Sequence, residues 1–487
     1  MTNHARWICS LLLIGVLLHT GASASGQESD HMAPTAQEID AYIEDGMTQL
    51  NVPGAAVALF EDGKITHQRG FGRRNSSGDP VTLQTPFQIA SVTKSFTSLI
   101  VLQLADEGRL SIDDPLVNYI PYFRTSNREM SKAITIRHLM NHRSGLSTLD
   151  GNRYQRTKYR GADATERAVR KLARVNLRAA PGEQFQYSNA NYATLAHLIE
   201  TIEQIPHEEV MEARIFSKIG MANTYVQIPN KPTAEEAKGH LQWFGVPRED
   251  HVIAGRMMMG AGGITTSAED LAKYLIAISQ NDPRIVPAAL THSWENNELV
   301  YEFGWQYDTI DGRRVIFHDG ANPGFRAFVM YEPGANKGAL FIKNMSGTLD
   351  GNLHLGAVRY ALGMPSIDIS PSDFFEKLLW GTLVLTVFLA LACFFSLRRL
   401  IKNAYKPWWN SKPLRWGLII FPSAVLVAFA FALWFYVPRT FGVNFASASL
   451  FNPDLGALLL AQVFIALTWA SARTVFLVRR CRTHSNN

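Results

Sequence analysis

Cysteine is nearly absent from this chain. Cys9, Cys393 and Cys481 are the only three in 487 residues. None falls between residues 10 and 392, so no disulfide can brace that long segment, and a hydrophobic core must hold it. Charge is scarce as well: 18% of residues, against about 25% in ordinary soluble domains. It is missing altogether from Leu378–Leu397, Trp416–Pro438 and Leu455–Ala472, runs of 20, 23 and 18 residues. Runs of that length exclude an ordinary soluble C-terminal third, because each can cross a bilayer core as a helix. A basic face is lacking too. Of 47 basic and 42 acidic residues, 12 and 2 lie after Asp373, so 35 basic face 40 acidic residues up to and including it, a net charge of −5. The overall charge of +5 therefore belongs to the C-terminal third, and a nucleic-acid partner, which needs a basic surface, is excluded. Residues 35–363 show no internal repeat, which excludes a solenoid or propeller.

The two ends differ from the middle. Residues 1–24 carry Arg6, an apolar run from Trp7 to Leu18 and the small-x-small pattern Ala22-Ser23-Ala24, the features of a signal peptide cleaved near Ala24. That run is short for a membrane span. Toward the other end, residues 365–377 read as a polar linker, residues 378–397, 416–438 and 455–472 as transmembrane helices, and residues 473–487 as a tail. The first loop between spans holds Arg398, Arg399, Lys402, Lys406, Lys412 and Arg415 with no acid, and the tail holds Arg479, Arg480 and Arg482. The second loop has only Arg439 and Asp454. Basic loops stay cytoplasmic. The chain thus reads as a multi-pass protein of the cell membrane, with residues 25–364 outside the cytoplasm and the C-terminus inside. The signal peptide argues independently for the same placement.

Ser91-Val92-Thr93-Lys94 is the one Ser-x-x-Lys of the chain. It sits where the extended segment Pro86–Ala90 runs into a helical pattern. Residues three apart share a helix face, so Lys94 can reach the Ser91 hydroxyl. A helix start also offers free N–H groups and the positive end of the dipole to an oxyanion. Tyr187-Ser188-Asn189 is the only Tyr-x-Asn and opens a helical run. His318-Asp319-Gly320 precedes the strand pattern Phe325–Tyr331. Lys94 and Tyr187 are both candidate bases for Ser91, since either can act if burial or a neighbouring cation lowers its pKa.

In this order the three motifs resemble the serine β-lactamase and penicillin-binding protein superfamily, and more closely its class C β-lactamase-like branch, which includes esterases and D-amino-acid peptidases. Sister motifs in class A enzymes are Ser-x-x-Lys, Ser-Asp-Asn and Lys-Thr-Gly. Here Tyr187 opens the second motif, as in the class C branch, and His318 stands where the third has Lys, as in many esterase-like members. Leu139–Leu146 and Gly262–Leu271 look like further segments of the family. The resemblance covers residues 35–363. It implies Ser91 as nucleophile, Lys94 and Tyr187 as its catalytic partners, and Asn189, His318 and Gly320 in substrate binding. It also implies an oxyanion hole from the backbone N–H groups of Ser91 and Ala321. A histidine titrates near neutrality, so strong recognition of a β-lactam carboxylate is in doubt. His138 and His142 stand four apart, but no Glu follows the first and the pair lies in a family segment, so no metal is expected.

The fold expected is α+β. Strand patterns at both ends of residues 25–364 (Pro53–Phe60, Lys64–Phe71, Val315–His318, Phe325–Tyr331, Ala339–Lys343) imply one antiparallel sheet closed by the chain ends. Flanking helices and an inserted helical lobe come from Val92–Glu107, Ile136–Met140, Ala164–Leu177, Tyr192–Glu200, Ala268–Ser279 and Asn352–Leu362. The β-lactamase/transpeptidase-like fold implied by the resemblance matches, with three transmembrane helices after it. The expected function is that of a membrane-anchored serine hydrolase forming an acyl-enzyme on Ser91, with D-amino-acid peptides, cell-wall fragments, β-lactams or small esters as candidate substrates. The alternative is a penicillin-binding sensor or scaffold with little turnover, signalling through its spans. No cofactor is expected. The expected partners are a small-molecule or peptide substrate and the lipid bilayer; the oligomeric state is left open.

Overall fold

Pro53 to Phe60 is apolar at nearly every position, and in the computed structural model of the protein the strand it forms is covered on both faces. The structure describes residues 34–156, 159–227, 235–250, 255–290, 299–402, 412–440 and 442–483. The expected signal peptide over residues 1–24 lies outside them, as does part of the basic loop, residues 403–411. The chain divides into two compact units, one ending at Pro371 and the other beginning at Ser372.

The first unit is built on a seven-stranded sheet. Its strands are β1 (Gly54–Glu61), β2 (Lys64–Gly72), β3 (Tyr301–Glu302), β4 (Trp305–Ile310), β5 (Arg313–Asn322), β6 (Phe325–Glu332) and β7 (Lys337–Lys343). Their spatial order is β2-β1-β7-β6-β5-β4-β3, antiparallel throughout. The pairing of β1 with β7 closes the sheet with both chain ends, as the sequence leads one to expect.

Because strand side chains alternate, each strand supplies both cores. Ala56, Ala58, Ile316, Ala327, Val329, Leu340 and Ile342 face the helical lobe, whose centre is the helix Thr93–Asp106. Ala55, Val57, Leu59, Val315, Phe328, Ala339 and Phe341 face a second layer made by the helices Ala36–Leu50 and Leu353–Ala361. Burial on both faces explains the continuous apolar runs. The helix Thr93–Asp106 ends at Gly108, whose φ of 70° permits a Schellman closure: Gly108 N–H to Ala105 O and Arg109 N–H to Leu104 O, each 3.0 Å.

Among the described residues, the second unit holds three helices long and apolar enough to cross a membrane, within Asp373–Ile401, Ile420–Thr440 and Pro453–Arg479. Their contacts fix their relative directions. Gln462 Nε2 donates to Thr382 O (3.1 Å) and Thr386 Oγ1 (2.9 Å), and Trp469 Nε1 to Ser396 Oγ (3.0 Å), so the first and third run parallel. Ser423 meets Thr474 at 2.9 Å, while Ala430 and Leu433 pack with Val463 and Ala466, so the second runs antiparallel to the third.

Candidate active site

A short segment delivers Ser91. Ile89 N–H bonds to Ile264 O, and Ala90 then adopts a left-handed backbone (φ 47°) that L-residues with a Cβ avoid. A 3₁₀ turn, Ala90–Val92, follows and runs into the helix Thr93–Asp106. Ser91 therefore sits two residues ahead of the α-helix, in the tighter turn, rather than at the N-cap of the α-helix. It is half-buried, while Val92 to Val101 are fully buried.

Two side chains meet at the Ser91 hydroxyl. Lys94 Nζ is 3.0 Å away, and Tyr187 Oη donates to it at 2.9 Å. Lys94 Nζ also donates to Ala261 O at 2.6 Å and lies 4.9 Å from the centre of the Tyr187 ring. Burial pushes the Lys94 ammonium well below its usual range, because a charged group loses its hydration there. Burial likewise drives the Tyr187 phenol upward, only partly offset by its bond to Ser91. Tyr187 is thus a phenol at neutral pH, and Lys94 is a base eased toward its neutral form.

Asn189 opens the helix Asn189–Glu203, and its Nδ2 donates to Asn152 Oδ1 at 3.1 Å. Its Oδ1 is buried and has no hydrogen-bond partner among the described residues. An acceptor in that state is open to a ligand N–H.

The third motif lies on β5, beside the Ser91 turn. Gly320 is needed there: a Cβ would collide with the carbonyl oxygen of Ile89. Its role in this structure is close packing of strand against turn, and that approach brings Ala321 beside the segment that carries Ser91. His318 differs from expectation. Its ring is fully buried, with Nδ1 2.7 Å from Asp319 O and Nε2 3.3 Å from Tyr301 Oη. The carbonyl can only accept, so Nδ1 carries the proton and Nε2 accepts from the phenol. Burial, with Lys94 nearby, pushes the imidazole down to about 3. The expected titration near neutrality is corrected: His318 is neutral at every physiological pH.

The sequence motifs missed several neighbours. Tyr301 contacts His318 and lies 6.2 Å, centroid to centroid, from the Tyr187 ring. The Phe303-Gly304 turn that follows, with φ of 51° and 84°, brings Gly304 so close to Lys94 O that a Cβ would lie 2.7 Å from it. Ala261 supplies the acceptor for Lys94, 167 residues away. No short pattern marks any of these. His138 and His142, four apart in sequence, each accept a backbone N–H: Thr135 N–H bonds to His138 Nδ1, and Ser188 N–H to His142 Nδ1. Among the described residues no cluster of three metal-ligating side chains occurs.

Comparison with known proteins agrees with this architecture. The beta-lactamase family model matches residues 39–361. The protein named flp from Staphylococcus aureus strain MRSA252 is 25% identical over 410 residues, 81% of this chain and 78% of that protein. That share exceeds the part of this chain up to residue 361, so the similarity runs past the family match. The flp protein of strain COL is matched over 63% of its length. Penicillin-binding protein 4 of Amycolatopsis lactamdurans is 26% identical over 319 residues, 61% of this chain and 82% of that protein. Among solved structures, the octameric penicillin-binding protein homologue from Pyrococcus abyssi superposes with a TM-score of 0.59 at 25% identity, covering 71% of this chain and 81% of that one.

Proposed function

The chain belongs to the beta-lactamase family, and on that premise we propose that it is a membrane-anchored serine hydrolase acting through an acyl-enzyme on Ser91. One observation carries the reading: the Ser91 hydroxyl is held between a buried lysine and a buried tyrosine, at 3.0 and 2.9 Å.

The chemistry follows from the two displaced pKa values. Neutral Lys94, with one N–H on Ala261 O, turns its lone pair to the Ser91 hydroxyl and takes its proton as Oγ attacks the substrate carbonyl. Tyr187 stays protonated, gives its hydrogen bond to Oγ, and passes a proton from Lys94 to the leaving group as the tetrahedral intermediate collapses. Backbone N–H groups of Ser91 and Ala321 receive the oxyanion. The Asn189 Oδ1 takes an N–H of the bound substrate. Water then attacks the acyl-enzyme, gives up its proton to the same pair of residues, and releases the acid and free Ser91.

The substrate class follows from charge. With His318 neutral, nothing in the third motif supplies a cation for a substrate carboxylate. The reading therefore favours esters, and amides of D-amino acids, over penicillins. Turnover by the full-length protein of a short-chain ester, a D-amino-acid amide and nitrocefin tests this. Rapid hydrolysis of the ester or the amide is expected. Stable labelling of Ser91 without turnover of any of the three would instead establish the penicillin-binding sensor, the reading that gives three packed spans a role beyond anchoring.

A further inference from the structure

His142 is fully buried and has a left-handed backbone, with φ of 55°. Such a conformation is unfavourable for a residue with a Cβ and persists only where the surroundings impose it. Those surroundings are the Tyr187 segment. The carbonyl of His142 accepts the Gln186 N–H at 2.8 Å, and its Nδ1 accepts the Ser188 N–H at 3.2 Å. One residue thus holds the backbone N–H groups of both residues that flank Tyr187. Its ring centre lies 4.3 Å from that of Tyr187, and 4.7 and 5.2 Å from those of Tyr301 and Tyr192.

The ring nitrogens are fixed by their partners. Asn191 Nδ2 lies 2.9 Å from Nδ1, with its Oδ1 taken by Ser144 Oγ at 2.6 Å. Two N–H donors converging on Nδ1 leave the ring's proton on Nε2. That N–H is buried with no hydrogen-bond partner among the described residues. Burial, with Lys94 and His318 nearby, holds the imidazole neutral. An unpaired buried donor is destabilising, and an apolar ring would avoid that cost. What an apolar ring lacks is the acceptor for Ser188.

We infer that His142 is a positioning residue for Tyr187: it sets the phenol on the Ser91 hydroxyl by gripping the backbone on either side and packing its ring against the tyrosine. This rests on the reading of Ser91 as nucleophile. It reaches substrate through Tyr187 alone.

The test is the rate of labelling by a fluorophosphonate in the full-length protein, with Tm read alongside. His142→Ala should slow labelling on the order of 100-fold, the scale of a misplacement near 1 Å, without loss of the folded state. His142→Asn keeps an acceptor and tolerates the left-handed backbone, so it should recover most of that loss. In a Tyr187→Phe background, His142→Ala should add almost nothing, because groups acting as a unit are not additive. Equal losses in both backgrounds, or an unchanged rate in His142→Ala, overturn the inference. If His142→Ala does not fold, the same cycle is read with His142→Phe, which keeps the ring but removes the acceptor for Ser188 N–H, and which should slow labelling in the wild-type background and not in Tyr187→Phe. Labelling of Ser91→Ala at the wild-type rate is a separate outcome: it removes the nucleophile, and this inference with it.

Discussion

Lys94 and His318 show what burial does to single side chains. Both are bases whose burial removes the stabilising water of the charged form. For Lys94 the result is a usable base; for His318 it is a neutral hydrogen-bonding group. The acylation rate should rise with pH through the Lys94 ionisation alone, since its protonated form cannot accept the Ser91 proton, and the limb should be complete below pH 10.5. No inflection from His318 should appear between pH 5 and 8. The check is kcat/KM against pH for wild type and His318→Gln; an inflection near pH 6.5 that vanishes in the variant would refute the neutral assignment. Lys94→Ala and Tyr187→Phe should each lower the rate at least about 100-fold, the lower end for general acid–base groups. The double variant should lose little more, and near-wild-type activity of either single variant would remove that residue from the mechanism. The meeting of Ser91, Lys94 and Tyr187 was legible because each sits in a motif occurring once. The state of His318 was not, because burial is a tertiary property. Ala261, Tyr301 and His142 act through contacts between distant segments that no local spacing encodes.

Strand β5 carries the third motif, and its two faces carry different chemistry. Gly320 and His318 face the Ser91 side, whereas Asp319 faces the helix Leu353–Ala361. There Asp319 lies 3.7 Å from Arg326 and 3.5 Å from His354, near a second pair formed by Arg326 and Asp350 at 3.0 Å. Lys343, fully buried on the same face, donates to Asp350 O at 2.8 Å. Burial, reinforced by Asp350, pushes the Asp319 carboxyl up to about 6 against the pull of Arg326. A folded-state pKa above the unfolded value of 3.8 means the fold binds the proton more tightly, so stability falls as pH rises through that window. Asp319→Asn should therefore be increasingly more stable than wild type from pH 4 to 6, and level above that, by on the order of 2–3 kcal/mol. Denaturation of the two proteins at pH 4, 5, 6 and 7 measures this; a constant or reversed difference would contradict it. Most strands and helices were legible from apolar runs and turn residues. The helix Ala36–Leu50 was missed although its capping box, Thr35 with Glu38, is visible in the sequence. The strands β3 and β4 were missed because each is short or half polar.

At the scale of the whole molecule, the three long apolar helices were read from uncharged runs, and the helical backbone runs past those limits, over Asp373–Ile401, residues 412–440 and Pro453–Thr483. The proposed topology requires helices of alternating direction: with an odd number of spans, the proposal places residues before 373 and the tail on opposite sides of a bilayer. A reporter fused between Arg398 and Arg415, or after Arg482, should remain cytoplasmic, and one between Arg439 and Asp454 should be exported. Alkaline phosphatase activity from a fusion after Arg482 would contradict that arrangement. The central claim, an acyl-enzyme on Ser91, is tested most directly by mass spectrometry of the full-length protein after treatment with a fluorophosphonate. The account predicts one modified tryptic peptide, residues 75–94, carrying the adduct on Ser91 and unmodified in Ser91→Ala. Equal modification of the Ser91→Ala protein, or an adduct on another residue, would contradict it.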